Sequence, residues 1–383
     1  MMPACTSAQP ELFTNPPEKW SSAQKKGQLS DEQVQQYFSE GFLLVPEFFE
    51  RSELEPIITA ICELVDNLAE KLHSAGKIKD KYKNATFYDR LTLIEKEFSG
   101  AAVLLHKNGI MPKAFQDLWT NQRLLNVIEQ FIGPEIAGHP VWNLRTKTPK
   151  NSQVTVPWHQ DSAYLTSAAC EVLQPTAWIP LLDTNRTNGC MQVARGGHRK
   201  GILATHTCCA GGTWYVDLAE EEMRKTLDVD FEKDIVLCEV PFGGVLFINN
   251  LVPHRSLENF SDKIRWSLDL RWQRPDKPNG FYGLKENILL RTSKDPNYTV
   301  DWTEFASCDR TELQRGHQEV KMKLEKEEIK LKPEEDPDFD TTIIGPWMGQ
   351  WEIVHHNRHT VKYKDPGDDE ESWSNYRGTW TKA

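Results

Sequence analysis

The chain has 383 residues and a mass of 44.1 kDa, enough for one large domain or two modest ones. A hydrophobic fraction of 39%, with 22 glycines and 22 prolines in no regular period, excludes disorder throughout and a collagen-like chain. The net charge of −11 disfavours nucleic acid and anionic lipid as partners. Polar residues interrupt the most apolar stretch, so no membrane-spanning segment is predicted.

The first regular element is predicted at residue 30. Residues 1–28 mix Pro, Ser, Gln and Lys without periodicity, which is typical of a flexible arm. Ser30 and Gln33 match a capping box, apolar residues follow at helical spacing, and Gly41 provides a stop. A short helix is therefore predicted, followed by a strand in the sequence FLLVPEFF.

Two further helical patterns follow in the chain. Ser52 and Glu55 repeat the capping pattern, and apolar residues continue at helical spacing to Gly76, which predicts an amphipathic helix of about six turns. Residues 113–132 carry another helical pattern, which ends at a Gly-Pro pair.

After residue 138 the hydrophobic period changes to that of strands. Short runs rich in β-forming residues are separated by turn residues. The runs are PVWNLRTK, SQVTVPWH, TAWIPLLD, CMQVA, DIVLCEV, GVLFINN and IRWSLDLRW. Helical patterns do not alternate with them, so we predict an antiparallel sandwich or barrel with flanking helices, a mainly β chain of the α+β class.

The C-terminal region has two unusual compositions. Residues 312–336 are dominated by Lys and Glu, which is typical of a solvated helix or a disordered segment. Four tryptophans then accompany an acidic run at 368–371, and we expect them to pack back on the body, with a separate binding segment as the alternative. These tryptophans are Trp347, Trp351, Trp373 and Trp380.

Eight cysteines are scattered along the chain without a CxxC pair. No apolar leader is visible in the sequence, so a reducing compartment is expected, with the cytoplasm as the default. The adjacent Cys208 and Cys209 are interpreted as ordinary core or loop thiols, with a redox pair as the alternative.

The densest polar cluster follows Trp158. Residues two apart in a strand face the same side, so His159 and Asp161 would present an imidazole nitrogen and a carboxylate oxygen to one point. His254, which follows another β run, is the candidate for a third ligand. Two histidines and one carboxylate on one face of an octahedron are the ligand set of non-haem Fe(II) oxygenases.

Arg265 and Ser267 come eleven and thirteen residues after His254 and again share a strand face. A guanidinium group matches a carboxylate with two parallel hydrogen bonds, and the serine hydroxyl adds a third. An unpaired buried arginine would be costly. Together with the three candidate ligands, this pair predicts a site for a metal ion and a dicarboxylate keto acid.

On these residues the chain resembles the phytanoyl-CoA dioxygenase family of Fe(II)- and 2-oxoglutarate-dependent oxygenases. The similarity covers roughly residues 30–273 and rests on LSDEQVQQYFSEGFLLVPEFF, PWHQDSAYL, TAWIPLLD, NGCMQVARGGHRKG and VPHRSLENFSDKIRWSLDLRW, in that order. The resemblance implies a double-stranded β-helix, or cupin-like jelly roll. The implied division is an arm at 1–28, an oxygenase domain at 29–310 with a helical part at 29–135 and a jelly roll at 136–275, and a charged, Trp-rich extension at 311–383.

The resemblance also implies a role for each matching residue. Iron would be bound by His159, Asp161 and His254, and the distal carboxylate of 2-oxoglutarate by Arg265 and Ser267. Trp178 would line the co-substrate pocket, and Lys107 would lie near the same co-substrate. The implied reaction uses dioxygen to hydroxylate a small molecule and releases succinate and CO2. Because Asp161 is present, hydroxylation is favoured over halogenation.

Two features depart from the family pattern. The sequence ARGGHRKG keeps His198 of the usual PGSH turn but replaces its proline and serine, so the neighbouring substrate loop is expected to differ. The C-terminal Thr-Lys-Ala does not match a peroxisomal Ser-Lys-Leu signal, so a role on fatty acyl-CoA is not expected.

Three alternative functions remain open at this point. The same ligands would hold zinc in a hydrolase, the chain would be a catalytically silent binding protein, or it would be a scaffold acting through its Trp-rich tail. Among other polar residues, His355, His356 and His359 are expected at the surface rather than around a metal. The basic cluster at 195–200 is read as a solvated turn or a grip for an anionic substrate group. Tyr164 faces the cavity or packs in the core.

Overall fold

The computed structural model describes residues 4–21, 24–295, 297–314 and 337–360. Its helices are α1 Asp31–Glu40, α2 Arg51–Ser74, α3 Arg90–Glu97, α4 Ala101–His106, α5 Lys113–Trp119, α6 Gln122–Ile132, α7 Glu220–Leu227 and α8 Thr303–Ser307. Its strands are β1 Cys5–Thr6, β2 Phe42–Val45, β3 Ile136–Gly138, β4 Asn143–Lys147, β5 Thr176–Pro180, β6 Met191–Ala194, β7 Ile202–Leu203, β8 Thr207–Cys208, β9 Val216–Asp217, β10 Ile235–Cys238, β11 Val245–Ile248, β12 His254–Ser256, β13 Arg265–Gln273, β14 Ile288–Arg291 and β15 Glu352–Ile353. The predictions for the Lys/Glu-rich segment, Trp373, Trp380 and the acidic run lie mostly or wholly outside the described residues.

Two antiparallel sheets form the sandwich. The larger has the strand order β14–β3–β13–β5–β11–β2, with β4 also paired to β13, and the smaller has the order β10–β6–β12. The N-terminal helices share one hydrophobic core with the larger sheet. The predicted jelly roll with flanking helices is confirmed.

Local sequence signals place α1 as predicted. The Ser30 hydroxyl accepts a hydrogen bond from the Gln33 backbone N–H, and the Gln33 side chain accepts one from the Ser30 backbone N–H. Gly41 ends the helix at φ +87°, where any side chain would be strained. A Cβ at Gly41 would also lie 2.5 Å from Nδ1 of His198. The turn therefore brings β2 directly behind α1, where it pairs with β11.

The later helices differ from the prediction at their ends. The cap of α2 lies two residues before the predicted Ser52, because Glu50 and Glu53 form the capping box. The pattern at 113–132 is divided into α5 and α6, because the Asn121 side chain caps a new helix there.

The described part of the N-terminal arm is attached to the body. Cys5 and Thr6 pair with β7, Phe13 is fully buried in the core, and Lys25 forms an ion pair with Glu129. The prediction of a flexible arm is therefore wrong for these residues. Strand pairing, a buried ring and ion pairs thus hold a segment that has no hydrophobic period.

The two adjacent cysteines are not thiols. Cys208 and Cys209 are both buried, as expected of core cysteines, but a disulfide joins them, so the expectation of two ordinary, unbonded residues is wrong. Cys208 lies in β8, which pairs with β9 and with β15 of the C-terminal segment. Two neighbouring cysteines give no spacing signal from which this bond could be predicted.

Two histidines outside the central cluster, His359 and His198, have structural contacts. His359 is fully buried, and its Nδ1 accepts a hydrogen bond from the Ile343 backbone N–H, so its predicted surface position is wrong. His198 is also buried, with Nε2 bonded to the Phe38 carbonyl, while Arg199 donates to the Ser39 carbonyl. The basic cluster at 195–200 thus ties its turn to α1.

The C-terminal segment 337–360 packs against the rest of the described chain. Trp347 and Trp351 are buried, and their indole N–H groups donate to the carbonyls of Trp214 and Ala163. The prediction that these two tryptophans pack back on the body is confirmed. In the part of the chain that the structure describes, every helix is too short or too polar to cross a membrane.

Candidate metal centre

Strand β13 separates a polar wall from the hydrophobic core. Its residues Trp266, Leu268, Leu270 and Trp272 belong to the core. The alternate residues Arg265, Asp269 and Arg271 line a cavity on the other face. Ser267 lies opposite Arg145 of β4, and Asp269 lies opposite Trp178 of β5, so these neighbours share the cavity face.

His159, Asp161 and His254 converge on one point. One donor atom from each lies within 4.8 Å of the others, and all three residues are buried. The two histidines face each other in an isolated antiparallel bridge. The strand predicted around His159 is not regular, because Asp161 begins a 3-10 turn. The extended backbone at Gln160 nevertheless keeps His159 and Asp161 on one side.

The imidazole rings are oriented for a cation. Nδ1 of His159 lies 2.9 Å from the Pro157 carbonyl, and Nδ1 of His254 lies 3.0 Å from the Val252 carbonyl. Each Nδ1 is thus the donor, which leaves the lone pair on Nε2. The two Nε2 atoms lie 3.6 and 3.8 Å from Oδ1 of Asp161. Burial lowers the pKa of His254 to about 4, so its ring is neutral at pH 7. The lone pairs of the two Nε2 atoms thus face the Asp161 carboxylate, an arrangement that is suited to a metal ion between the three groups.

Asp161 is held in its ionised form. Burial would raise the pKa of this carboxyl, but the charge of Arg271 holds it well below its ordinary value. Nε and Nη2 of Arg271 donate to the two carboxylate oxygens at 2.9 to 3.2 Å, and the Thr176 hydroxyl donates at 3.0 Å. The guanidinium also donates through Nη1 to the Val141 carbonyl. The carboxylate is therefore oriented before any metal binds.

A cavity of about 420 Å³ is lined by both histidines and by Arg265. Arg265 is 2% exposed, and its Nη1 donates to the Ser267 hydroxyl at 2.6 Å. Its guanidinium carbon lies 5.3 Å from the ring centre of Trp178. Burial lowers the pKa of Arg265 to about 10, so the group is charged at pH 7, and its Nε has no partner among the described residues. The arrangement is suited to an anionic group.

A larger cavity of about 1150 Å³ reaches Asp161. Arg145 and Arg271 line both cavities, so the two adjoin at the metal ligands. Tyr164 lines the larger cavity, with its ring 5.6 Å from those of His159 and Trp347. Tyr164 therefore meets both alternatives, because it lines this cavity and also packs against the hydrophobic core.

The structure does not bring Lys107 into the cavity of Arg265. Lys107 lines the larger cavity instead, where its Nζ donates to the carbonyl and carboxylate oxygens of Asp340 at 2.7 and 3.3 Å. Asp340 belongs to the C-terminal segment, whose position the sequence does not predict. This carboxylate gives Lys107 a nearer partner than the implied co-substrate.

Sequence reasoning missed several polar residues of the site. Asp269 and Arg271 continue the two-residue alternation of Arg265 and Ser267, so the same period could have identified them. Arg145 reaches the site only through the pairing of β4 with β13, for which no local signal exists.

Comparisons with known proteins show which family the sequence matches. A sequence model of the family described as Phytanoyl-CoA dioxygenase (PhyH) matches residues 37–267. A "Phytanoyl-CoA dioxygenase domain-containing protein 1 homolog" of Dictyostelium discoideum is 23% identical over 283 residues, which cover 68% of this chain and 96% of the relative. A "1-deoxypentalenic acid 11-beta-hydroxylase" of Streptomyces arenae is 29% identical over 240 residues, covering 58% of this chain and 77% of the relative.

Solved structures are similar over most of the chain at low sequence identity. The crystal structure of EctD from S. alaskensis with 2-oxoglutarate and 5-hydroxyectoine covers 80% of this chain and 91% of its own, with 14% identity and a TM-score of 0.48. The region of the family match contains the three candidate ligands, Arg265 and Ser267, whereas the C-terminal segment lies beyond it.

Proposed function

The chain belongs to the phytanoyl-CoA dioxygenase family, and we propose that it is an Fe(II)- and 2-oxoglutarate-dependent oxygenase that hydroxylates a small molecule. The observation that carries the proposal is the convergence of His159, Asp161 and His254 beside a cavity that also contains Arg265. This arrangement supports the binding of one bidentate keto acid between the proposed metal ligands and Arg265.

The donor set is suited to ferrous iron. Nε2 of His159, Nε2 of His254 and one oxygen of Asp161 would hold the ion. When bound, iron supplies the oxidative decarboxylation of 2-oxoglutarate by dioxygen, to succinate and CO2, together with the oxidation of a substrate C–H bond. The chain contributes orientation, because the Pro157 and Val252 carbonyls fix the two rings.

Arg265 and Ser267 would bind the distal carboxylate of 2-oxoglutarate. Their cavity is buried, where charge-assisted hydrogen bonds are strong. Trp178 stacks near the guanidinium and limits its orientation. With one end of the keto acid fixed by this pair, its other end lies toward the metal ligands in a defined direction.

Asp161 and the larger cavity support hydroxylation of a small molecule. The carboxylate occupies the ligand position that a halide would need, so hydroxylation is favoured over halogenation. The larger cavity reaches Asp161, and apolar and aromatic side chains form much of its wall, as in sites for small organic substrates. The S. arenae relative is named as the hydroxylase of such a molecule, which supports the same class here. A zinc hydrolase would leave Arg265 and Ser267 without a function.

Removal of single ligands tests the proposal. His159→Ala and Asp161→Ala each delete one metal donor, so Fe(II)-dependent formation of succinate from 2-oxoglutarate should fall to the background rate. His73→Ala, at the exposed end of α2, is the control and should keep the wild-type rate. Full turnover in either ligand variant would contradict the proposed metal site.

A further inference from the structure

Arg310 is a buried cation on the wall of the larger cavity, beyond the region of the family match. It is 6% exposed, and its Nη1 donates to the Trp142 carbonyl. Its Nε has no hydrogen-bond partner among the described residues. Among the described residues the neighbouring Asp309 forms no ion pair with it, since its Oδ1 accepts from the backbone N–H groups of Thr311 and Glu312, and its charge offsets that of Arg310 only in part. Arg310 therefore lacks an ion pair within the described chain.

The other cations of this cavity each have a carboxylate partner. The pairs are Arg145 with Asp269 at 2.7 Å, Arg271 with Asp161 at 2.9 Å, and Lys107 with Asp340 at 3.3 Å. Arg310 differs from them in charge balance, although it lines the same cavity. A buried charge without compensation is unfavourable, and a bound anion would remove that cost.

The comparison of Arg310 with Arg271 indicates which anion fits. The two guanidinium groups donate through Nη1 to the consecutive carbonyls of Trp142 and Val141. Arg271 uses its Nε and Nη2 edge to bind a carboxylate, and the corresponding Nε of Arg310 has no described partner. Burial and the charge of Arg271 lower the pKa of Arg310 to about 10, so it is charged at pH 7. A planar carboxylate matches this edge.

We propose that Arg310 binds a carboxylate of the substrate, and therefore that the substrate is an apolar molecule carrying a carboxylate. The proposal rests on the proposed function and specifies its substrate class. Much of the remaining wall is apolar or aromatic, formed by Val141, Leu165, Trp214, Phe281, Ile343 and Trp347. The carboxylate of 2-oxoglutarate is a separate ligand, since Arg265 lines the smaller cavity and Arg310 does not.

The test compares carboxylic acids with their methyl esters. Straight-chain and phenyl-substituted monocarboxylic acids of increasing length, and the matching esters, are titrated calorimetrically into the anaerobic holoenzyme with Fe(II) and saturating 2-oxoglutarate. Saturation with 2-oxoglutarate keeps the acids out of the smaller cavity. We expect acids that fit the cavity to bind about 30-fold more tightly than their esters, because the ester lacks the charge that compensates Arg310.

Variants assign this preference to one residue. Arg310→Gln should bind the acids about 30-fold more weakly and the esters unchanged, and Arg310→Lys should keep part of the preference. Arg274→Gln is the matched control and should keep the wild-type ratio, because Arg274 lies outside the cavity in an exposed ion pair with Asp276. Thermal unfolding shows whether Arg310→Gln folds. If it does not, the acid-to-ester ratio of Arg310→Lys is compared with that of the wild type instead.

Two results would overturn the substrate class. One is a wild-type protein in which no acid binds more tightly than its ester. The other is an Arg310→Gln protein with the wild-type acid-to-ester ratio. Succinate formation without added substrate is measured in the same preparations. Its absence in the wild-type protein would count against the oxygenase function, whereas the binding ratio counts only for or against the role of Arg310.

Discussion

Arg271 binds both oxygens of the Asp161 carboxylate, lines both cavities and donates to the backbone at Val141. It would therefore position a proposed metal ligand without itself being a donor to the metal. The carboxylate needs this support because burial alone would raise its pKa and favour the neutral, weaker-binding acid.

Arg271→Gln should accordingly weaken metal binding by about 10- to 100-fold. Without the guanidinium charge, the largest effect that opposes burial is lost, so the pKa of Asp161 rises. The carboxylate also loses the two nitrogen donors that fix its orientation. The measurement is an anaerobic calorimetric titration with Fe(II). Arg274→Gln is the control, because Arg274 lies just beyond β13 in an exposed ion pair with Asp276. Wild-type affinity for Fe(II) in Arg271→Gln would show that the hydrogen bonds from Arg271 to Asp161 are not needed for metal binding.

Arg265→Ala should act on the co-substrate rather than on the metal. Loss of a buried, charge-assisted partner is expected to raise the apparent KM for 2-oxoglutarate roughly 30-fold, with iron affinity nearly unchanged. Steady-state succinate assays give the first quantity, and metal titration gives the second. An unchanged KM would remove Arg265 from the co-substrate site.

At the scale of the element, β13 shows why the sequence predicted part of the site and missed part of it. The strand alternates polar and apolar residues, as an exposed strand does, yet all nine residues are buried. Its polar face lines an internal cavity. The alternation was sufficient to put Arg265 and Ser267 on one face, but the partners across the sheet depend on register, which is set by pairing remote in sequence.

In the HxD segment, by contrast, the local prediction is correct although the predicted strand is not regular. The prediction that His159 and Asp161 face one point is confirmed although the regular strand is absent. One extended residue between them is enough for this geometry, so the local argument did not depend on the sheet. His254 was identifiable only as a candidate, because its bridge to His159 joins segments almost a hundred residues apart.

Trp266→Ala tests the apolar face of β13. Trp266 is fully buried, its ring stacks on Phe87 at 5.4 Å, and its indole N–H donates to the Phe87 carbonyl. We expect the free energy of unfolding in urea to fall by about 3–5 kcal/mol. Trp20→Ala, at a position that is 60% exposed, should change it by less than about 0.5 kcal/mol. A loss below about 1 kcal/mol at Trp266 would contradict its assignment to the core.

At the scale of the whole molecule, the C-terminal segment 337–360 completes the oxygenase body. Trp347 lines the larger cavity, and Trp351 donates to the carbonyl of Ala163, two residues after Asp161. The sequence could suggest only that exposed tryptophans are unfavourable and would pack somewhere. Neither this segment nor the N-terminal arm has a hydrophobic period, so their docking sites follow from the complete fold and not from local pattern.

Trp351→Ala should therefore destabilise the whole domain. The ring is 4% exposed and lies 5.2 Å from that of His206, so its loss leaves a cavity beside the 3-10 turn of Asp161. A loss of about 3–5 kcal/mol in unfolding free energy is expected from chemical denaturation. Val354→Ala, a 42% exposed position in the same segment, is the control. If both variants were as stable as the wild type, the segment would be an appendage rather than part of the body.

The central claim is that one ferrous ion is held between His159, Asp161 and His254 with 2-oxoglutarate extending to Arg265. Anomalous X-ray scattering at the iron absorption edge, from crystals grown anaerobically with Fe(II) and 2-oxoglutarate, tests it most directly. We predict one strong peak within bonding distance of both Nε2 atoms and an Asp161 oxygen, with the distal carboxylate of 2-oxoglutarate on Arg265. A peak elsewhere, or none at these three residues under saturating iron, would contradict the account.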